Sequence, residues 1–174
     1  MTLSRGLFLS VLTMSVMLAS CSYQLVKEDR ASLPAGVQSV YVPLARNMTI
    51  EAVLEDVFTQ ELIKTLRSDG RIKLEDRNEA DAELLCVIED VDLDAISYTE
   101  EGRIASNRVT MTVHCRLLLK GSESVVWETG EISAGEDYPV GPDHIRNENQ
   151  KALALREASK DIAESVRGLL IDSF

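Results

Sequence analysis

From Ala82 onward the chain alternates. Ala82, Leu84, Cys86 and Ile88 place small or apolar side chains at every second position, the period of a strand with one buried face. The phase then slips, because Val91 and Leu93 continue the apolar series on odd numbers, and a bulge near Glu89-Asp90 accounts for the slip. The strand runs to about Ile96, and Tyr98 to Arg103, with Gly102, forms a hairpin tip. The returning strand sets Val109, Met111, Val113, Cys115, Leu117 and Leu119 on one face and Arg108, Thr110, Thr112, His114 and Arg116 on the other. One face meets a core and the other meets water. Lys120-Gly121-Ser122 turns the chain again, and Val125 to Tyr138 forms a last strand around Trp127.

Two segments switch to a helical period. Leu54, Val57, Phe58, Leu62 and Leu66 form a stripe over Ile50 to Ser68. Asn47-Met48-Thr49 carries the start signal, Glu51 suits the first turn, and Gly70 is placed to cap the end. Ala152, Leu155, Ala158, Ile162, Val166 and Leu169 predict a second helix over Asn147 to Leu170, after a loop from Pro139. Val37 to Leu44 is a strand limited by Pro43, and Arg71 to Glu75 is a short strand candidate. The expectation is one α+β domain over residues 37–174. It has a mostly antiparallel sheet of about four strands and two helices on one face, in the order β-α-β-β-β-α. The first strand, the first helix and the next strand are expected to form a right-handed crossover.

The start of the chain differs from this pattern. Arg5 precedes Gly6 to Leu18, a mostly apolar run too short for a membrane span of about 20 residues. A charged start, a short apolar stretch and small residues at its end describe a signal peptide over residues 1–20. Leu18-Ala19-Ser20-Cys21 resembles a bacterial lipobox, which implies cleavage before Cys21 and lipid attachment to it. Several acyl chains anchor stably, so the mature protein is expected to be held at a membrane without spanning it. Residue 22 is Ser rather than Asp, and likeness to sorted bacterial lipoproteins then implies export to the outer membrane. Residues 21–36 read as a lipidated N-terminus and tether, reaching on the order of 50 Å when extended.

The formal net charge is −11, and loss of Arg5 makes the mature part more negative still. That argues against nucleic acid and against adsorption to anionic lipid. Catalytic and metal-binding patterns are few. His114 sits among Thr and Arg on a polar strand face, and His144 is the only other histidine. Neither has metal-ligand spacing around it. Ser122 and Ser124 lack a nucleophile-elbow context. Glu89, Asp90, Asp92 and Asp94 have the chemistry for calcium, but lack the spacing of a calcium loop and read as a solvated strand face. No enzyme, metal or cofactor is expected. A hairpin turning between Tyr98 and Arg103 sets Cys86 opposite Cys115, which leaves a disulfide geometrically open. Because a bulge shifts register and opposed strand cysteines strain the bond, two buried thiols are the preferred reading.

Cys21-Ser22-Tyr23-Gln24-Leu25 is similar to the Cys-Gly-Tyr-x-Leu opening of the lipopolysaccharide-assembly lipoprotein family, LptE. Val42-Pro43-Leu44-Ala45-Arg46-Asn47-Met48-Thr49 resembles that family's Val-Pro-x-x-x-Asn-x-Thr stretch. Ala80-Asp81-Ala82, Trp127 and the Ala-rich last helix also match. Ser22 departs from the usual Gly, and Ala45 stands where a bulky residue is common. The resemblance implies a non-enzymatic outer-membrane lipoprotein facing the periplasm. It is expected to assemble with and plug the LptD β-barrel and to contact lipopolysaccharide in transit. The alternative is an accessory lipoprotein of another envelope transport or secretion complex. Because the chain is acidic, glycolipid phosphates need local cations, and arginine binds them bidentately. Arg103 and Arg108 beside the hairpin tip and Arg146 before the last helix are the candidates.

Overall fold

The computed structural model describes residues 33–122 and 124–172. The expected signal peptide, Cys21 and most of the tether lie outside the described residues. In chain order come a 3-10 turn (Pro34–Gly36), β1 (Ser39–Tyr41), β2 (Arg46–Asn47), α1 (Leu54–Asp69) and β3 (Lys73–Leu74). Then follow β4 (Ala82–Tyr98), β5 (Ile104–Leu119), β6 (Val125–Pro139) and α2 (His144–Asp172). Leu33, Pro34 and Val37 are already buried, so the packed domain reaches four residues ahead of the expected boundary at 37.

Among the described residues the fold is α+β with two helices, but the sheet has six strands and is mixed rather than mostly antiparallel. Its order is β3-β1-β4-β5-β6, with β2 also on β4. The segment read as one strand over Val37 to Leu44 is two short ones. β1 pairs Val40 with Ala82, and β2 pairs Arg46 with Val87, both parallel to β4. Pro43 lacks an N–H for the ladder and lies in the interruption between them. β3 runs parallel to β1, so the β1–α1–β3 segment is a parallel crossover.

β4, β5 and β6 form a long antiparallel ribbon. The expected bulge is present: Ile88 faces Val113, and the next pair is Asp90 with Thr112. Glu89 is the extra residue, and it turns the inward positions from even to odd numbers. On the inward face Ala82, Leu84, Ile88, Val109, Met111, Val113, Cys115 and Leu117 are fully enclosed.

The helices lie on this face. Phe58, Leu62 and Leu66 of α1 and Ala158, Ile162 and Val166 of α2 complete one core. On α2 the buried stripe begins at Ala154-Leu155 and ends at Leu170-Ile171; the predicted positions Ala152 and Leu169 are exposed. Bridges Glu51–Lys151 (2.6 Å), Glu61–Arg156 (3.6 Å) and Asp69–Arg167 (2.6 Å) follow one another in both sequences, so the helices run side by side in one direction.

The first helix starts later than its stripe suggests. It begins at Leu54, after Val53, whose φ of 58° is left-handed and strained for a β-branched residue. Asn47 and Thr49 do not cap it. Asn47 ends β2 and organises the joint. Its Oδ1 accepts from the Thr49 N–H (2.9 Å) and hydroxyl (2.8 Å), and its Nδ2 donates to the Glu51 carbonyl (2.8 Å) and to Glu55 Oε2 (2.9 Å). This side chain replaces the missing ladder partners at a corner.

Candidate functional site

Two regions bear on function: the outer sheet face, which the helices leave open, and the hairpin end. On the outer face Asp90, Asp92 and Asp94 stand opposite Thr112, Thr110 and Arg108. Across β5, Thr112 meets Ser133, Thr110 meets Gly135 and Arg108 meets Asp137. Thr112 and Ser133 hydroxyls bond at 2.9 Å. A Cβ on Gly135 would come within 2.8 Å of Thr110 Oγ1, so only glycine allows this close cross-strand approach. The result is a low, hydroxyl-rich polar surface bordered by carboxylates. His114 lies on this face too, with Glu89 and Glu128 each 3.9 Å from one ring nitrogen.

The three candidate arginines come to one end of the molecule. Ser106 of β5 pairs with Pro139 of β6, the Val140 N–H donates to the Ala105 carbonyl (2.9 Å), and α2 begins at His144. The hairpin tip and the start of α2 are therefore neighbours. Arg103 is held by Glu101 at 3.3 Å, and Arg108 Nε donates to Asp137 at 2.6 Å on the outer face. That carboxylate raises the Arg108 pKa further above its ordinary value. Arg146 lies on the exposed first turn of α2 and has no carboxylate partner among the described residues. Beside it Asp143 Oδ1 accepts from the Arg146 N–H (3.2 Å), and Asn147 closes the loop onto Gly141 with two bonds (2.9 and 2.8 Å). Residues 139–143 with Arg146 and Asn147 line an open cleft of about 300 Å³.

The cysteines correct the sequence reading. Cys86 and Cys115 form a disulfide, with Cα atoms 4.1 Å apart. The bulge that argued against it lies beyond the pair, at Glu89, and leaves the Cys86–Cys115 register intact. Both are buried on the inward face.

Two structural carboxylates were not singled out as such. Asp81 Oδ2 accepts from the N–H groups of Gln38 (3.1 Å) and Ser39 (3.0 Å) and from the Ser39 hydroxyl (2.9 Å), clamping β1 to the start of β4. Those donors, the Ser39 hydroxyl first, lower its pKa. This gives the Ala80-Asp81-Ala82 motif a physical role. Asp69 bridges Arg71 and Arg167 where both helices end, and the Arg71 hydrogen bond, helped by Arg167, brings its pKa down to about 2. No sequence signal joined Asp69 to Arg167, because a sequence separation of 98 lies between them.

Two helices on one face of a sheet whose other face stays polar and open define a small binding or assembly domain. Solved structures share this fold. A protein from Xanthomonas campestris has a TM-score of 0.59 at 11% identity, with 82% of this chain and 88% of that one covered. Lipoprotein B from Nitrosomonas europaea has 0.56 at 17% identity, covering 83% and 88%. A minor lipoprotein from Acinetobacter baumannii has 0.52 at 13% identity, covering 79% and 93%. A search of curated sequences returned no match. The model of the family LptE, lipopolysaccharide-assembly, matches residues 37–167. The chain belongs to the LptE family: it is an envelope lipoprotein of lipopolysaccharide assembly.

Proposed function

We propose that this protein is anchored to the outer membrane through lipid on Cys21, faces the periplasm, and assembles with the LptD β-barrel as its plug. The organisation proposed is a signal peptide over 1–20, a lipidated tether from 21, and the single domain described above. The role is non-enzymatic. One observation carries the reading: the sheet face opposite the helices is open, and its centre, at Thr110, Thr112, Ser133 and Gly135, is polar. A β-barrel large enough to enclose a domain has a polar lumen, and a polar face packs there without stranding apolar surface.

Lipopolysaccharide phosphates are proposed to be met at the hairpin end by Arg103, Arg108 and Arg146. Arg146 contributes most, because Glu101 and Asp137 already engage the other two.

The test is co-purification of the full-length protein with the barrel from detergent-solubilised outer membrane. Thr112→Trp with Ser133→Trp should abolish recovery of the barrel while leaving the urea midpoint unchanged. Undiminished recovery overturns the plug reading. For the glycolipid, binding at two salt concentrations is compared between wild type and a variant with all three arginines changed to Glu. Unchanged binding removes these residues from the mechanism.

A further inference from the structure

The sheet contains an unfilled lane. β1 and β2 lie one after the other along the same edge of β4, against Ala82-Glu83 and Val87-Ile88. The Met48 N–H donates to the Ile88 carbonyl at 3.0 Å, and there the chain leaves the edge, turning away through residues 49–53. From Asp90 to Tyr98, β4 is paired on its other side with β5, but among the described residues nothing pairs with this edge. Asp90 to Ala95 is regular between two register shifts, so alternate residues of this six-residue run present free backbone groups in an undistorted row. The other long free edge, β6, has its register shifts near Gly130 and at Val125–Trp127, runs regularly from Glu131, and ends in Pro139, which has no N–H to offer a partner.

We infer that the edge of β4 from Asp90 to Tyr98 accepts an extended strand of a protein partner with basic and apolar residues in alternation. Backbone pairing would supply the affinity and alternate side chains the specificity. The outward side chains there are Asp90, Asp92 and Asp94, none of which forms an ion pair among the described residues. Lysine or arginine on the incoming strand meets these three carboxylates. On the inward side Val91 is half-buried and Leu93 is 52% exposed, because neither helix extends over this part of β4. Apolar residues of the incoming strand cover them. A second copy of this chain does not fit. Antiparallel pairing of two such edges in one continuous sheet sets Asp92 against Asp92 and Asp90 against Asp94, and like charges opposite each other destabilise a strand pair. The acidic edge therefore rejects its own kind and selects a basic strand.

This inference does not depend on the barrel reading, and its test uses no barrel. The full-length protein in detergent is mixed with a synthetic peptide of about nine alternating Lys and Val residues, and amide hydrogen exchange is followed. Two control peptides are used: one alternating Glu and Val, and one with the Lys/Val composition but a central Pro that cannot pair. The Lys/Val peptide should slow exchange of the free-edge amides within residues 90–98 by about tenfold or more, while the other two leave them unchanged. Changing Asp90, Asp92 and Asp94 together to Lys should transfer protection to the Glu/Val peptide. Protection elsewhere only, none at all, or equal protection by the Pro-containing peptide overturns the inference. So does a Lys-substituted protein that keeps its preference for the basic peptide.

Discussion

The two halves of the β4–β5 ribbon are built differently. In the basal half, from Ala82 to Ile88 and Val113 to Leu117, inward side chains are enclosed beneath the helices and a disulfide joins the strands, and on β5 the enclosure continues through Met111 to Val109, opposite Val91 and Leu93. In the distal half, Leu93, Ile96, Tyr98 and Ile104 are exposed although β4 and β5 stay paired, through register shifts at Ala95/Ser97 and Ser97/Tyr98, as far as Tyr98 and Ile104. Both halves are paired strand to strand, whereas apolar burial along β4 differs between them. Since burial dominates stability, the basal half should hold the fold together and the distal half should be free to serve contacts.

The largest test of that contrast is a pair of truncations. Phe58→Ala removes a fully enclosed ring from the basal core and should cost about 3–5 kcal/mol, whereas Leu93→Ala in the distal half should cost less than about 0.5 kcal/mol. Urea unfolding at neutral pH measures both; similar costs would break the comparison. Next is the disulfide. Cys86→Ala with Cys115→Ala reopens a loop with a sequence separation of 29 and should lower stability by about 3 kcal/mol. Reduction should be slow without denaturant, because both cysteines are buried. Free-thiol titration over time checks this.

A smaller effect should appear where the helices end. Asp69 has a folded pKa of about 2 against an ordinary 3.8, so its contribution is complete above about pH 4 and is lost as pH falls towards 2. Discounted for screening, it is worth roughly 1–2 kcal/mol. Asp69→Asn should be less stable than wild type at pH 6 and converge with it near pH 2; a constant gap across that range would remove the ion pair from the account. The smallest effect has the opposite sign. Val53→Gly relieves the left-handed backbone before α1 and should raise stability by up to about 1 kcal/mol, set against the greater freedom glycine gains when unfolded. A lowered melting temperature would show that Val53 packing matters more than its strain.

Side-chain period over neighbouring residues made most of the β4–β5 ribbon and the first helix legible without the fold, though it misplaced the ends of the α2 stripe at Ala152 and Leu169. The inward series Ala82 to Ile88 and Val109 to Leu117, the slip at Glu89, the tip after Tyr98 and the α1 stripe through Phe58 and Leu62 could all be read before any fold was known. So could the register that opposes Cys86 to Cys115, although the bond itself was not preferred. Of the site, the sequence supplied the polar outer series of β5 and the arginines beside the tip. How the short segments pair came from the folded path of the chain. β1, β2 and β3 have two or three residues each, too few for a period, and their parallel places depend on α1 closing back over the core. The same is true of Asp69 with Arg167, of Asn47 as a joint rather than a cap, and of the vacant edge beside Asp90. A local pattern says which face a residue shows, while the neighbour it meets depends on the folded path of the whole chain.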